Sequence, residues 1–185
     1  PNALLEEAKI TLQTVRDIRV LRNCRSRQKK RLARYTNAFS QLFHSSYRNR
    51  FPTLWEQFDE LVENGEITST REVAREIEGD RVVALRDWAA GQRDLFPTPN
   101  AAEAAFVGQI FAVPHFLQIV ERKKLLKGGL NADPFITARA QATGGTVVTL
   151  EGEPPNGAKI PNICRHFGIP CLSLEGFMEE EDWTF

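Results

Sequence analysis

Three acidic residues of this chain have a placement that could bring them to one catalytic centre. Glu76 lies in a short helical pattern, Asp133 heads a longer one, and Glu151 follows a short apolar strand pattern. Converging carboxylates repel one another, and a divalent cation relieves that repulsion. Such oxygen ligands suit Mg²⁺ or Mn²⁺, which could activate water and stabilise the leaving oxygen of a phosphodiester. The alternative on spacing alone is that these acids lie on separate solvated faces.

The segment 130–174 must position two of these acids. Pro134 suits the first turn of a helix with Asp133 as its N-cap, and the following apolar residues form one face. Gly144 and Gly145 end that helix, and 146–150 is a β-branched run typical of a buried parallel strand. Because Glu151 comes directly after this run, it is expected where open α/β sheets bind their ligands.

The upstream half predicts further elements of the same kind. Residues 50–64 form an amphipathic helix pattern in which Trp55 and Phe58 are expected in the core rather than stacked on bases. A strand at 66–69 leads into a helix over 70–77, which carries Glu76. A first strand is expected within 31–43, although Arg31 and Arg34 interrupt its pattern. Residues 101–127 read as mostly helical with a break near Pro114, and the adjoining His115 is expected to be structural.

Length and composition limit the class of protein to which this chain can belong. The chain has 185 residues, of which 42% are hydrophobic, enough for a core with an appendage. No apolar run approaches the roughly 20 residues that a bilayer requires, so a cytoplasmic protein without membrane association is expected. Cys24, Cys164 and Cys171 are odd in number and lack a CxxC spacing, which favours free thiols. P-loop, dinucleotide, GxSxG and HExxH motifs are all missing from the sequence.

The net charge of zero conceals an asymmetry. Residues 1–35 carry ten Lys or Arg against three acids, a net charge of +7, and the remainder carries −7. Clustered basic residues could contact nucleic-acid phosphates, whereas a solvated or partner-docking arm is the other interpretation. We therefore predict a basic helical extension over 1–34 followed by a domain over 35–185.

Several motifs together resemble the PIN-domain superfamily. They are TNAF at 36–39, the helix that bears Trp55, ITS followed by EVAREI, NADPFITARA, GGTVVTLE, KIPNICRHFGIPCLSL and the closing WTF. More narrowly, they look like VapC-like proteins that are encoded beside antitoxin genes. The resemblance covers about residues 35–185 and is most specific in the carboxyl-terminal third. It implies an α/β protein of the PIN-like three-layer type, with a central parallel sheet flanked by helices.

The resemblance also implies an activity and a set of site residues. Many superfamily members are Mg²⁺- or Mn²⁺-dependent ribonucleases that act as toxins. By this likeness Glu76, Asp133 and Glu151 correspond to the second, third and fourth motif acids and would be the metal ligands. Thr149 and Asn37 match the Thr before the last acid and the Asn of the opening motif, and would orient ligands or water. RNA would be the substrate and a cognate antitoxin the partner, and a homo-oligomer is left open.

The opening motif departs from the family pattern. Superfamily members begin with an apolar strand ending in Asp-Thr/Ser-Asn, whereas Tyr35 stands here at the position of that first Asp. A phenol with a pKa near 10 is a poor Mg²⁺ ligand at neutral pH. The alternative function is therefore a catalytically impaired PIN-like module. It would bind an antitoxin or nucleic acid through the basic arm and the acidic tail, which contains Glu175, Glu179, Glu180, Glu181 and Asp182.

Overall fold

The fold is built on a small sheet whose strands all run parallel. The strands are β1 (Leu32–Arg34), β2 (Ile67–Thr68), β3 (Thr146–Val148) and β4 (Cys171–Leu172), in the order β2-β1-β3-β4. In the register, Ala33 lies opposite Val147, and Val147 lies opposite Cys171. The computed structural model describes residues 32–34, 36–46, 48–117 and 131–184, with side chains described from residue 38 onward. The predicted basic helix before residue 32 lies outside these residues, as does Tyr35.

Helices make up most of the rest of the described chain. Their bounds are α1 (Thr36–Ser45), α2 (Pro52–Glu63), α3 (Arg71–Glu78), α4 (Val83–Gly91), α5 (Ala101–Ala112), α6 (Asp133–Thr143), α7 (Ile160–Phe167) and α8 (Leu174–Glu180). A 3₁₀ turn, Arg93–Leu95, follows α4, and residues 114–117 are also helical. The described part is thus mixed α/β, mostly helical with a small parallel sheet, as the sequence predicted at that level.

The direction in which successive strands are added to the sheet reverses between β1 and β3. It passes from β1 through α1 and α2 to β2 on one side, and later enters β3 on the other side of β1. The strand β4 then follows β3 through α7 and extends the sheet outward. In open parallel sheets, the crevice at the carboxyl ends of the two strands where the order reverses is the usual ligand position. Here that position lies between the ends of β1 and β3.

An aromatic cluster fills the core beside α1, α2 and α4. The ring of Trp88 lies 5.1 Å from Phe43, 5.5 Å from Phe39 and 5.7 Å from Phe58 between centroids. Trp55 and Phe58 are 3% and 0% exposed, so their prediction as core residues is confirmed. The indole N–H of Trp55 donates to a backbone carbonyl at 2.7 Å, which satisfies the polar atom of this buried ring.

A buried ion pair joins two helices to the sheet. The Arg139 guanidinium on α6 lies 2.9 Å from a carboxylate oxygen of Glu103 on α5 and donates at 2.8 Å to the hydroxyl of Thr68 in β2. Glu103 also closes a capping box with Asn100 at the start of α5. The Glu103 side chain is 1% exposed and that of Arg139 is 14% exposed, so the pair is nearly free of solvent screening.

No helix in the described ranges combines the length and the apolar character needed to cross a bilayer.

The exposed His115 contacts a distant segment of the chain, since its Nε2 lies 3.2 Å from the carbonyl oxygen of Gly157. This contact is consistent with the structural role predicted for that histidine.

Candidate functional site

A hydrogen bond brings Glu76 to the start of α6. The backbone N–H of Ala132, the N-cap residue of α6, donates to Glu76 Oε1 at 3.0 Å across 56 residues of sequence. Glu76 lies in the second turn of α3, whose Val73 and Ile77 are buried in the core. The Glu76 carboxylate therefore reaches a residue directly adjacent to Asp133.

Asp133 is a buried acid at a helix N-terminus. It is the first helical residue of α6 rather than the predicted N-cap, with Pro134 next to it, and it is 1% exposed. Its own N–H donates to the Asn131 side chain at 3.2 Å, and its carbonyl accepts from the Thr137 hydroxyl at 2.8 Å. The positive end of the helix dipole at the start of α6 favours negative charge there, and the N–H of Ala132 donates directly to the Glu76 carboxylate.

Glu151 is held by the next helix in the chain. Its Oε2 accepts from the N–H of Ile160, the first residue of α7, at 3.0 Å. Its own N–H donates to Thr149 Oγ1 at 3.1 Å, and Thr149 is 2% exposed. The Thr149 N–H donates to the carbonyl of Leu172 at 3.0 Å, which extends the pairing of β3 with β4 by one residue. Thr149 thus fixes the backbone that presents Glu151.

A surface cavity of about 350 Å³ opens beside Glu151. It lies at the carboxyl ends of β3 and β4, and its lining residues are Thr149, Glu151, Glu153, Pro161, Arg165, Ile169, Cys171, Leu172 and Ser173. An ion pair at its rim joins Arg165 to Glu153 at 2.7 Å. The cavity lining therefore combines carboxylates, a cation, two hydroxyls and a thiol, a mixture suited to a polar ligand.

One of two neighbouring thiols lines this cavity. Cys171 of β4 is half-buried and contributes to the cavity wall, whereas Cys164 of α7 is 0% exposed. Interaction with the Cys164 thiol lowers the pKa of Cys171, against the opposing effects of burial and of Glu153 and Glu151. The same interaction and then burial raise the pKa of Cys164, which the Thr137 hydroxyl partly offsets.

The structure brings the predicted site residues together only in part. The Glu76 carboxylate bonds to Ala132, the residue before Asp133, at the N-terminus of α6, and the Glu151 carboxylate bonds to the N-terminus of α7. The ranges that carry described side chains contain no group of three or more His, Cys, Asp or Glu that could hold a metal ion. The donor chemistry of the acids nevertheless fits Mg²⁺, which proteins usually hold with one or two carboxylates, waters and substrate phosphates. The sharing of one ion by all three acids stays a prediction.

The predicted residues of the opening motif are only partly described. Asn37 is the second residue of α1, which follows β1 after one residue, but its side chain lies outside the described part. Tyr35 lies outside it altogether. The roles predicted for these two residues therefore remain sequence-based.

Sequence reasoning missed several polar groups around the acids. One carboxylate oxygen of Glu72 is buried with no hydrogen-bond partner, while the other accepts from Arg71 at 2.9 Å. The Glu72 side chain is 12% exposed and lies one turn before Glu76, a spacing the sequence does show. Arg165 and Cys171 gave no sequence signal, because a lone Arg and two cysteines seven residues apart match no motif.

A second cavity, of about 520 Å³, lies away from the predicted acids, between α3 and α4. It is lined by Ala74, Ile77, Glu78, Arg86, Asp87, Ala89, Ala90, Arg93 and Phe96. None of the residues predicted to be catalytic contributes to it, so it does not enter the account of the acidic site.

Comparison with known proteins places the chain in a family. No curated protein matches it significantly. A family model described as Domain of unknown function (DUF4411) matches residues 35–185, a range that contains Glu76, Asp133, Thr149 and Glu151. The chain therefore belongs to the DUF4411 family.

Proposed function

We propose that this protein is a metal-dependent ribonuclease of the toxin-antitoxin type with a PIN-like three-layer fold. The observation that carries the proposal is the 3.0 Å hydrogen bond from Ala132 to Glu76, which brings an acid of α3 to the residue before the buried Asp133. Two acids at one helix N-terminus would form a suitable position for a hard cation and a phosphodiester. RNA is the proposed substrate and an antitoxin protein the proposed regulatory partner.

Position in the fold supports the same assignment. The helix α6 packs along β1 and β3 and leads through Gly144 and Gly145 into the start of β3. Its first residue, Asp133, therefore lies toward the other end of that strand, where Glu151 follows β3. The reversal of strand order between β1 and β3 marks the same end of the sheet as the usual ligand position.

Each residue has a distinct role in this proposal. Glu76 and Asp133 would hold Mg²⁺ or Mn²⁺, with Glu151 as a further ligand from the end of β3. The ion would supply a water of lowered pKa and charge for the leaving oxygen. Thr149 fixes the backbone of Glu151 through its 3.1 Å hydrogen bond, and Asn37 would orient a ligand at the start of α1. The N–H of Ala132 holds the Glu76 carboxylate at the start of α6.

The test is a cleavage assay on the full chain with single-stranded RNA and Mn²⁺. Asp133→Asn and Glu76→Gln preserve shape, and the Gln carbonyl can still accept from Ala132, so both variants are expected to fold. We expect both to lose Mn²⁺-dependent cleavage. Glu78→Gln is the matched control, because Glu78 is exposed on the same helix as Glu76. Cleavage that survives Asp133→Asn, or that is lost equally in Glu78→Gln, would contradict the proposal.

A binding module without activity is the second candidate, and Tyr35 is the observation that favours it. A neutral phenol replaces the first acid of the opening motif, and the described side chains form no three-ligand metal cluster. In this case the wild-type chain would bind an antitoxin or nucleic acid without cleaving RNA. Tyr35→Asp distinguishes the two, since Mn²⁺-dependent cleavage that occurs only in this variant identifies the natural chain as the impaired form.

A further inference from the structure

A cation in the lining of the 350 Å³ cavity is held against an acid of the same cavity. Arg165 Nη1 lies 2.7 Å from a carboxylate oxygen of Glu153, and both residues contribute to the lining. The Arg165 side chain is 70% exposed and that of Glu153 is 38% exposed. The pair is therefore accessible to a ligand that enters the cavity.

The helix α7 presents Arg165 to the cavity. Arg165 lies in the last turn of α7, one turn after Pro161, and both residues lie on the face of the helix that lines the cavity. A different face packs in the core through three residues that are 0% exposed, Ile160, Ile163 and Cys164. The helix begins at Glu151, whose carboxylate accepts from the Ile160 N–H at 3.0 Å. The helix therefore runs along the cavity from the contact with Glu151 to Arg165.

The acid that holds Arg165 takes the position of an anionic ligand. A guanidinium binds a carboxylate or a phosphate through the same N–H donors, at about 2.7–2.9 Å. The Glu153 carboxylate at 2.7 Å therefore stands where a phosphate oxygen would bind. Because exposed ion pairs contribute little to stability, the exchange of one anion for the other costs little.

The rest of the lining fits a nucleotide whose phosphate lies at Arg165. Apolar surface for a ribose or a base comes from Pro161, Ile169 and Leu172, and hydroxyls come from Thr149 and Ser173. Ligand pockets in proteins usually have volumes of about 300–1,000 Å³, so a cavity of 350 Å³ suits a ligand of this small size.

We propose that Arg165 binds a backbone phosphate of RNA beside the predicted acidic site, and that Glu153 competes with this phosphate for the same guanidinium. The inference rests on the proposed ribonuclease function and adds to it a residue that binds the substrate backbone. In the free protein the ion pair is closed. When RNA binds, a phosphate oxygen replaces the Glu153 carboxylate, which turns toward solvent.

The test measures RNA binding in EDTA, so that metal-dependent cleavage does not contribute. Fluorescence anisotropy of a short labelled single-stranded RNA gives the affinity of the full chain over a series of salt concentrations. Arg165→Gln should weaken binding and reduce the slope of log K against log salt by about 0.7, the value of one phosphate contact on a single strand. Residues 1–35 carry a net charge of +7 in every variant, so differences between variants are compared.

Competition by Glu153 predicts an effect of the opposite sign. Glu153→Gln frees Arg165 and should tighten RNA binding, whereas a purely structural pair would weaken binding when either partner is changed. The gain should vanish when Glu153→Gln is combined with Arg165→Gln, because the freed guanidinium is then absent. Asp59→Asn is the matched control, since Asp59 forms an exposed ion pair with Arg48 at 2.7 Å outside the cavity lining. This control should leave the affinity unchanged.

Three outcomes overturn the inference. Arg165→Gln could bind RNA with the affinity and salt slope of the wild-type chain, or the wild-type chain could bind no RNA in EDTA. The gain of Glu153→Gln could also persist in the double variant, which would identify it as a long-range effect of removing one negative charge. Failure of the proposed function is read separately, from Mn²⁺-dependent cleavage that survives Asp133→Asn.

Discussion

The carboxylates of Glu76 and Glu151 each accept from a backbone N–H at the start of a helix, Ala132 in one case and Ile160 in the other. The sequence predicted a helix for Glu76 and the carboxyl end of a strand for Glu151. It could not predict which N–H groups they would contact, because the partners are 56 and 9 residues away and depend on how α6 and α7 dock. At the residue scale, the acids were predictable as candidates but their geometry was not.

The loop between Glu151 and α7 should tolerate little change at Gly157. A Cβ added there would lie 2.7 Å from Asn162 Oδ1 and 2.7 Å from Pro154 Cγ. Gly157→Ala is therefore expected to lower the free energy of unfolding by roughly 1–3 kcal/mol, the range of overpacked sites. Gly152→Ala is the control in the same loop, since a Cβ at Gly152 meets nothing within 4 Å. Equal urea midpoints for the two variants would refute this expectation.

Alkylation of Cys171 should follow a shifted pH profile. Only the thiolate reacts, and interaction with the Cys164 thiol lowers the pKa of Cys171 below its ordinary value of 9.0. The reaction midpoint in the wild-type chain is therefore expected below pH 9.0. Cys164→Ala removes that thiol and leaves burial, Glu153 and Glu151, all of which raise the pKa, so the midpoint should move upward. Iodoacetamide kinetics followed by peptide mass spectrometry measure both, and an unchanged midpoint would reject this assignment.

At the scale of elements, the buried pair of Arg139 and Glu103 connects α5, α6 and β2. Arg139→Met would leave the carboxylate of Glu103, 1% exposed, without its cation. Breaking such a pair costs about 3–5 kcal/mol of stability. The matched control is Arg165→Met, whose ion pair with Glu153 is exposed and contributes about 0–1 kcal/mol. Urea unfolding followed by tryptophan fluorescence measures the free energy of unfolding of both variants. Similar decreases in the two variants would contradict this prediction.

Helices with strong local signals were predicted close to their observed bounds. Pro52 and the apolar periodicity after it gave α2, and Gly144, with a φ of +64°, ends α6 as expected. The strands are only two or three residues long, so hydrophobic pattern alone is a weak signal for them. The strand β1 is the clearest case, since arginine interrupts its pattern and only pairing with β2 and β3 defines it.

At the scale of the whole molecule, the order β2-β1-β3-β4 could not be read from local patterns. It depends on the pairing of Ala33 with Thr68 on one side and with Val147 on the other, contacts between residues far apart in the chain. The alternation of helix and strand signals did predict a parallel α/β sheet. The structure adds the position of the acids relative to β1 and β3, the two strands between which the strand order reverses.

The most direct test of the acidic site is Mn²⁺ binding to the full chain, measured by titration calorimetry without RNA. The account predicts that the wild-type chain binds Mn²⁺ and that Asp133→Asn weakens this binding at least about 10-fold. Loss of a supporting contact at a metal site typically has an effect of that size. Asp87→Asn, at an exposed position on α4, should leave the affinity unchanged. Wild-type and Asp133→Asn chains that bind Mn²⁺ equally, or a wild-type chain that binds none, would contradict the central claim.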